Sequence, residues 1–319
     1  MGFEWIISHG DCDGVCSAAL ALACSPGARV FFSHPAGLVK DLGQVEGGSV
    51  MICDIAISKN FVDQLVPQLR RLSETAALCY VDHHRFPNGI RGAAKNVEFI
   101  IGEEGRSSSE LVWTFLRDRL PESMSRVMIY GAIADFSDGT SAVQEAADSW
   151  DKREVFFESG ILVEALEGSR KRDYDFKRGV VQLLSKNLAP SSSEDLVDVA
   201  LRERAFGEAM REVVFDRTKV EGKVAYVIDV GWSLGKAATY ARVRGNSLVG
   251  VAGESRNEVV DVSLRGSGLV DAGTLAEVVS SNVGGSGGGH ARAAGARIPA
   301  GSFDRFVRDL AAKLDGLGR

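Results

Sequence analysis

The 319-residue sequence lacks the features of a secreted or membrane-spanning protein. Its five cysteines all lie in the first quarter of the chain, and none forms a C-x-x-C pair, which argues against a disulfide framework or a cysteine zinc site. No apolar run approaches the ~20 residues that cross a bilayer, and the N-terminus lacks the pattern of a signal peptide. We therefore expect a cytoplasmic protein with reduced thiols and no membrane partner.

The chain also lacks the positive charge that is typical of proteins that bind nucleic acids. Its 37 Lys and Arg are outnumbered by 43 Asp and Glu, for a formal net charge of −6. The part from Glu221 onward nevertheless carries +2, and the rest carries −8. Binding along a phosphate backbone normally needs a positive surface, so the net charge argues against a nucleic-acid partner. This objection is weaker if the N-terminal acidic residues include metal ligands, because bound cations would offset their charge.

Short apolar runs alternate with helical stretches through the first half of the chain. The runs are residues 5–8, 30–33, 50–54, 78–82 and 97–100. Such short strands separated by helices indicate βαβ units and a parallel sheet with helices on both faces. Ser107 and Glu110 have the spacing of a helix-capping box, which we prefer to a catalytic serine because no base is near in sequence.

A small polar segment, 190–195, separates this region from a second one in which strands and helices again alternate. We expect an α/β domain over 1–190, a linker helix over 191–218 and a smaller α/β domain over 219–319. A basic run, Arg170 to Arg172 followed by Lys177 and Arg178, either flanks a groove for a phosphate backbone or is a solvated helix face, which we favour.

Potential metal ligands follow the predicted strands of the first half. Alternate residues of an extended segment point to the same side, so the segment after the first strand can direct His9, Asp11 and Asp13 to one place. In open α/β sheets, ligands bind outside the carboxyl ends of the strands. The other candidates at such ends are Asp54, Asp82, His83, His84 and Asp135, the last after an apolar run, 129–134, interpreted as a strand, with Asp138 as an alternative.

The metal-binding candidates comprise four carboxylates and two imidazoles, which is more than one cation needs: His9, Asp11, Asp13, Asp54, His83 and Asp135. A single zinc usually takes three or four ligands, whereas carboxylate-rich sites suit Mn²⁺ or Mg²⁺. Two ions about 3.5–4 Å apart catalyse in-line displacement at phosphorus. We therefore expect two Mn²⁺, with Mg²⁺ as the alternative. Taken alone, the first segment is equally compatible with a capped turn that has Asp13 as its N-cap.

The order of these motifs resembles that of the DHH phosphoesterase superfamily. The matching positions are His-x-Asp-x-Asp-Gly at 9–14, Asp54, Asp-His-His at 82–84 and Asp135. In the second half, Gly287 to Gly295 resembles the glycine-histidine signature of the DHHA1 substrate domain, and Ser263 to Arg265 is similar to the strand before it. The resemblance runs in order through essentially the whole chain.

The resemblance implies a role for each position. One manganese would be held by His9 and Asp11, the other by Asp13, His83 and Asp135, with Asp54 as the bridge. Asp82 would orient His83 through its second ring nitrogen, and His84 would face the scissile phosphate. A glycine loop whose N–H groups approach the substrate, together with flanking cations, would supply the substrate-binding residues Arg265, Gly288, Gly289, His290 and Arg292. A flexible linker is the alternative for the glycine run.

The resemblance to RecJ-like and nanoRNase-like members implies a manganese-dependent phosphodiesterase. We expect an exonuclease that releases mononucleotides from single-stranded DNA or short RNA oligonucleotides. One alternative is hydrolysis of small nucleotides, such as 3′-phosphoadenosine 5′-phosphate or linear or cyclic dinucleotides. Another is a non-catalytic subunit of a replication or repair complex. Cleavage polarity, RNA or DNA preference, a homodimer and a repair or replication partner all stay open.

Overall fold

The structure, a computed structural model, describes residues 2–103, 105–168, 170 and 172–316. They divide into two compact units, an N-terminal unit that ends at Glu203 and a C-terminal unit that begins at Arg204. Each unit has its own β-sheet and its own apolar core. Among the helices that the structure describes, none is long and apolar enough to cross a membrane.

The N-terminal unit is built on a five-stranded parallel sheet. Its strands are β1 (Trp5–Ser8), β2 (Arg29–Phe32), β3 (Val50–Cys53), β4 (Leu78–Asp82) and β5 (Val97–Ile101). They lie in the order β2-β1-β3-β4-β5, and every pairing is parallel. The predicted parallel sheet is thus confirmed, and the carboxyl ends of its strands meet at one edge.

Helices cover both faces of this sheet. They are α1 (Cys12–Cys24), α2 (Leu38–Gly43), α3 (Val62–Ser73), α4 (Ile90–Ala93), α5 (Ser108–Leu116), α6 (Ser125–Ala134), α7 (Ser141–Ala147), α8 (Lys152–Glu167) and α9 (Tyr174–Ser185). Short 3₁₀ turns occupy Lys59–Phe61, Arg117–Arg119, Glu122–Met124 and Pro190–Ser192. Ile6 packs with α1, α5 and α6, whereas its neighbour Ile7 packs with α2 and α3. This alternation places a separate apolar core on each face.

One predicted strand is wrong. Residues 129–134 lie in helix α6. Most of α6 is buried, including Val127, Ile129 and Tyr130. A buried helix segment is apolar on all sides, so its sequence cannot be distinguished from a buried strand by periodicity. Asp135 therefore follows the end of a helix.

The long helix α10 (Glu194–Arg217) crosses the boundary between the units. The C-terminal unit contains a six-stranded mixed sheet in the order β10-β11-β9-β8-β7-β6. Its strands are β6 (Lys219–Glu221), β7 (Val224–Ile228), β8 (Val249–Arg256), β9 (Val259–Gly266), β10 (Ser286–Gly289) and β11 (Ala293–Pro299). Its helices are α11 (Leu234–Arg244), α12 (Ala272–Asn282) and α13 (Phe303–Gly316). The predicted second α/β region is confirmed.

The glycine run is not the predicted loop. It forms the edge strand β10, in which Gly288 lies opposite Gly295 and Gly289 lies opposite Ala294. Helix α12 packs closely on this strand, because a Cβ added to Gly273 would lie 2.2 Å from the Gly289 carbonyl oxygen. The glycines thus allow a helix and a strand to approach each other.

Candidate functional site

The loop after β1 brings three candidate ligands to the start of α1. Asp11, not Asp13, is the N-cap of this helix, because its Oδ1 accepts a hydrogen bond of 3.0 Å from the Gly14 N–H. The Nδ1 atom of His9 lies 2.7 Å from Asp11 Oδ2. A Cβ at Gly14 would lie 2.4 Å from the His9 carbonyl oxygen, so the turn requires glycine. The segment is therefore a capped turn and a cluster of potential ligands at once.

Asp13 is buried in the first turn of α1, where the N-terminus of α5 holds its carboxylate. The N–H groups of Ser108 and Ser109 donate to its two oxygens at 2.7 and 3.0 Å. Only the N-cap half of the predicted capping box is confirmed: Ser107 Oγ accepts from the Glu110 N–H at 3.1 Å, whereas the Glu110 carboxylate accepts from Arg106 and Thr140. A helix N-terminus stabilises negative charge with its free N–H groups. The serine segment is thus a helix cap that also fixes Asp13.

Asp54 follows β3 and is only 2% exposed. Its backbone has a φ of 59°, in the left-handed region, which Asp tolerates better than most residues. Its Oδ1 accepts from the Ser108 hydroxyl at 3.0 Å and lies 3.3 Å from His83 Nε2. Its Oδ2 is buried without a hydrogen-bond partner among the residues described, with His9 Nδ1 3.9 Å away.

The two histidines after β4 have different partners. His83 Nδ1 lies 2.7 Å from the Arg106 carbonyl oxygen. Because a carbonyl only accepts hydrogen bonds, this nitrogen carries the proton. His84 Nδ1 lies 2.8 Å from Oδ1 of the buried Asp82. The predicted role of Asp82 is therefore wrong: its carboxylate orients the His84 ring, and the Arg106 carbonyl orients the His83 ring.

In three groups of residues of the N-terminal unit, one potential ligand atom from each residue lies within 4.8 Å of the others. Two of these groups contain the predicted ligands: His9, Asp11 and Asp54 in one, and Asp13, His83 and Asp135 in the other. The third group contains Asp54, Asp82, His83 and His84. Asp135 caps the C-terminus of α6 and accepts a hydrogen bond of 2.9 Å from the Ser137 hydroxyl. All six predicted ligands thus come together at the carboxyl edge of the first sheet.

Burial and mutual repulsion shift the pKa values of this cluster. Burial, followed by the charges of Asp11 and Asp13, raises the pKa of Asp54 well above its usual range. Burial and the charge of Asp13 likewise raise the pKa of Asp135 to about 7. Burial lowers the pKa of His83, but the hydrogen bond to Asp54 and nearby carboxylates outweigh it and raise the pKa to about 11. The cluster therefore holds more negative charge than its own histidines neutralise, which favours cations.

Sequence reasoning missed Ser108 and the Arg106 carbonyl, because both act across long sequence separations. It also singled out the basic run at 170–178 without a role. Arg170 forms ion pairs with Asp173 and Asp195, and Lys171 lies outside the described residues. Lys177 is buried and donates a hydrogen bond to the Gly10 carbonyl. At Lys177 the prediction of a solvated face is wrong.

The five predicted substrate-binding residues lie at one end of the second sheet. Arg265, near the end of β9, is opposite Ala293 at the start of β11. The carbonyl of the exposed Arg292 accepts from the Gly266 N–H at 2.9 Å. Gly288 and Gly289 end β10, and His290 follows them directly. The C-terminal unit thus places two arginines and a histidine beside a glycine strand.

Comparisons with known proteins identify the architecture. Residues 221–315 match the family described as the DHHA1 domain. A search of curated proteins found none that matches the chain. Among solved structures, a pGpG-specific phosphodiesterase, PggH from Vibrio cholerae, is 16% identical with a TM-score of 0.58, over 98% of this chain and 99% of that one.

Two further structures share the fold. The exonuclease RecJ bound to manganese is 14% identical with a TM-score of 0.62, over 97% of this chain and 89% of that one. The DHH domain of a protein described as a member of a ribosomal protein family is 12% identical with a TM-score of 0.70, over 97% of this chain and 86% of that one. Identities this low establish the fold. Together with the DHHA1 match over residues 221–315, they confirm that this chain resembles DHH/DHHA1 proteins in fold.

Proposed function

We propose that this DHH/DHHA1 chain is a manganese-dependent phosphodiesterase with two metal ions in its N-terminal unit. It acts as an exonuclease that releases mononucleotides from single-stranded DNA or short RNA oligonucleotides. The observation that carries this proposal is the presence of two three-residue donor groups, one around Asp11 and one around Asp13, on a single sheet edge.

The residues present fit such ions. The buried Oδ2 of Asp54 has no hydrogen-bond partner in the described part of the chain. Burial, followed by the charges of neighbouring carboxylates, raises the pKa values of Asp54 and Asp135. Carboxylate oxygens with a minority of imidazoles suit Mn²⁺ or Mg²⁺. His9 and Asp11 would hold one ion and Asp13, His83 and Asp135 the other, with Asp54 between them. When bound, the ions supply an activated water and stabilise charge on the phosphoryl oxygens.

The Asp82–His84 pair contributes acid–base chemistry from the chain itself. Burial raises the pKa of Asp82, but the charge and hydrogen bond of His84 outweigh it and lower the pKa, so Asp82 stays ionised. The carboxylate accepts a hydrogen bond from His84 Nδ1 and so fixes the orientation of the ring. In this orientation His84 would face the scissile phosphate and help to protonate the leaving oxygen of the substrate.

The substrate class rests on the C-terminal unit. Arg265 lies near the end of β9 and Arg292 directly precedes the neighbouring strand β11, and residues 221–319 carry a net charge of only +2. A few cations suit a few phosphates, as in a short oligonucleotide or its terminal nucleotide. The RecJ structure, an exonuclease of the same fold, is consistent with this class.

A dinucleotide is the second candidate substrate. The observation in its favour is that the pGpG-specific phosphodiesterase aligns over 98% of this chain and 99% of its own length. The shared fold therefore extends over nearly the whole of both chains. Hydrolysis of a dinucleotide would use the same metal centre.

The decisive experiment is digestion of end-labelled RNA and DNA oligomers, pGpG and 3′-phosphoadenosine 5′-phosphate with Mn²⁺ or Mg²⁺. We expect stepwise release of mononucleotides from the oligomers. Hydrolysis of the small substrates alone would overturn the exonuclease proposal. Asp54→Ala should remove activity by more than about 10³-fold, because the ions supply several kcal/mol to the transition state.

Metal binding provides a readout that is independent of activity. Mn²⁺ should raise the thermal midpoint of the wild type, because it offsets the repulsion among the carboxylates. Asp54→Ala should lose most of this increase. Asp138→Ala, which alters a neighbouring carboxylate outside both donor groups, should retain activity and the increase. An active Asp54→Ala variant would contradict the two-metal proposal.

A further inference from the structure

The first turn of helix α9 is attached to the loop that carries His9 and Asp11. Lys177 in this turn is only 3% exposed, and its ammonium group donates to the carbonyl of Gly10, between the two ligands. A buried ammonium group is unfavourable unless it is paired, so this contact fixes α9 against the loop. Residues three apart on a helix lie on the same face, which places Tyr174 beside Lys177.

The Tyr174 ring has a defined position next to the same loop. It stacks on Phe32, the last residue of β2, with ring centroids 6.0 Å apart and planes 20° apart. A Cβ added to Gly10 would lie 3.8 Å from Tyr174 Cε1. Tyr174 is nevertheless 44% exposed. An aromatic ring thus stands partly open to solvent, with a buried ring behind it, at the edge of the candidate metal centre.

This arrangement matches the way proteins recognise nucleobases. Single-stranded nucleic acids are bound by stacking bases on aromatic side chains, which works for every base because each has a π face. In a nucleotide, the base is one sugar away from the phosphate. A phosphate at His9 and Asp11 would therefore carry its base into the neighbourhood of a ring that borders Gly10.

We propose that Tyr174 is a nucleobase-stacking residue of the substrate site, held in place by Phe32 and by the contact between Lys177 and Gly10. The proposal rests on the proposed function, since it concerns a nucleotide substrate at the same metal centre. It adds a subsite in the N-terminal unit, whereas the predicted substrate-binding residues all lie in the C-terminal unit.

The test compares Tyr174→Ala, Tyr174→Phe and Tyr174→Leu on pGpG and on the same dinucleotide with one base removed. Tyr174→Ala should raise KM for pGpG at least about fivefold with little change in kcat, because stacking stabilises the bound base. Tyr174→Phe keeps the ring and should stay within about twofold of wild type. Tyr174→Leu preserves packing against Phe32 without a π face, so it should behave like Tyr174→Ala.

The matched control is Phe157→Ala, which removes another exposed aromatic ring, on α8 and 62% exposed. It should leave KM unchanged. On the dinucleotide that lacks the base stacked on Tyr174, wild type and Tyr174→Ala should have the same KM. An equal rise in KM on both substrates would mean a structural role and would overturn the proposal, as would an unchanged KM for pGpG.

Calorimetric binding of guanosine monophosphate separates this inference from the proposed function. A wild type that hydrolyses no nucleotide would refute the proposed function alone. Binding that is weaker in Tyr174→Ala and Tyr174→Leu, but not in Tyr174→Phe, would still support the stacking residue. Equal binding by all four proteins would refute it whether or not the wild type is active.

Discussion

Several candidate residues of the two units differ in their burial and in their hydrogen bonds. In the N-terminal unit, Asp13, Asp54 and Asp82 are buried and held by named hydrogen bonds. In the C-terminal unit, Arg292 is exposed, and a Cβ at Gly288 would meet nothing within 4 Å. Groups that position reacting atoms need rigid support, whereas groups that attract a phosphate can act at longer range. The difference therefore distinguishes a candidate reaction centre from a candidate binding edge.

Two serines give the largest expected contrast between the units. Ser108→Ala removes the hydroxyl that donates to Asp54 Oδ1 at 3.0 Å. Loss of a hydrogen bond that orients a metal ligand lowers metal affinity by about 10–100-fold. The affinity for Mn²⁺, measured by calorimetry, should therefore fall by that factor in Ser108→Ala. Ser263→Ala removes the acceptor of a hydrogen bond from Arg265 and should leave Mn²⁺ affinity unchanged. If both variants lowered Mn²⁺ affinity equally, the proposed assignment of metal binding to the N-terminal unit would be wrong.

Two glycines test how closely each region is packed. A Cβ at Gly131 would lie 2.4 Å from Ser109 Oγ and 2.8 Å from Asp13 Oδ1. Overpacking of this kind costs about 1–3 kcal/mol, so Gly131→Ala should lower the free energy of unfolding in urea by that amount. Gly288→Ala should change it by less than about 0.5 kcal/mol. If Gly131→Ala left the free energy of unfolding unchanged, the candidate metal centre would be less rigid than these contacts indicate.

The smallest expected effect concerns two helices, one in each unit, that end with the same backbone conformation. Phe136 after α6 and Asn246 after α11 both have positive φ, 57° and 45°, and both end their helices with the same pair of backbone hydrogen bonds. Glycine is preferred at such positions, and Asn tolerates them. Phe136→Gly should therefore stabilise the protein by about 0.5–1 kcal/mol, and Asn246→Gly by less.

The activity of the Phe136→Gly variant can be measured together with its stability. Phe136 is 79% exposed and directly follows Asp135. A bulky residue in a left-handed conformation is unfavourable by itself, and such strain clusters at functional sites. If Phe136→Gly is more stable but less active than the wild type, the Phe136 ring contributes to the candidate metal centre. If activity is unchanged, the left-handed backbone conformation of Phe136 does not contribute to function.

The sequence predicted the parts of the site that depend on residue type and local spacing. The strand that Asp54 follows and the strand that ends at Asp82 can be recognised from the sequence, because each apolar run stops at a charged residue. The helix before Asp135 could not, since burial on all sides removes its periodicity. The composition of the glycine run predicts a loop, because it carries no sign that Gly289 pairs with Ala294 in a strand.

The missed contacts are of a different kind. The Arg106 carbonyl and the Ser108 N–H are backbone groups, which every residue has, so their identity carries no signal in the sequence. The partner of Asp82 was predicted incorrectly because His83 and His84 are adjacent, and only the backbone geometry decides which ring the carboxylate meets. Spacing thus locates a group of ligands, and folding decides their individual contacts.

The contact between Asp13 and the N-terminus of α5 joins residues 95 positions apart. Asp135, the last member of the second donor group, lies farther still along the chain. A ribosome must therefore synthesise most of the N-terminal unit before either carboxylate can reach its place. The nascent chain accordingly carries its first candidate ligands before the second donor group is complete, so the proposed activity would arise late in the synthesis of the protein.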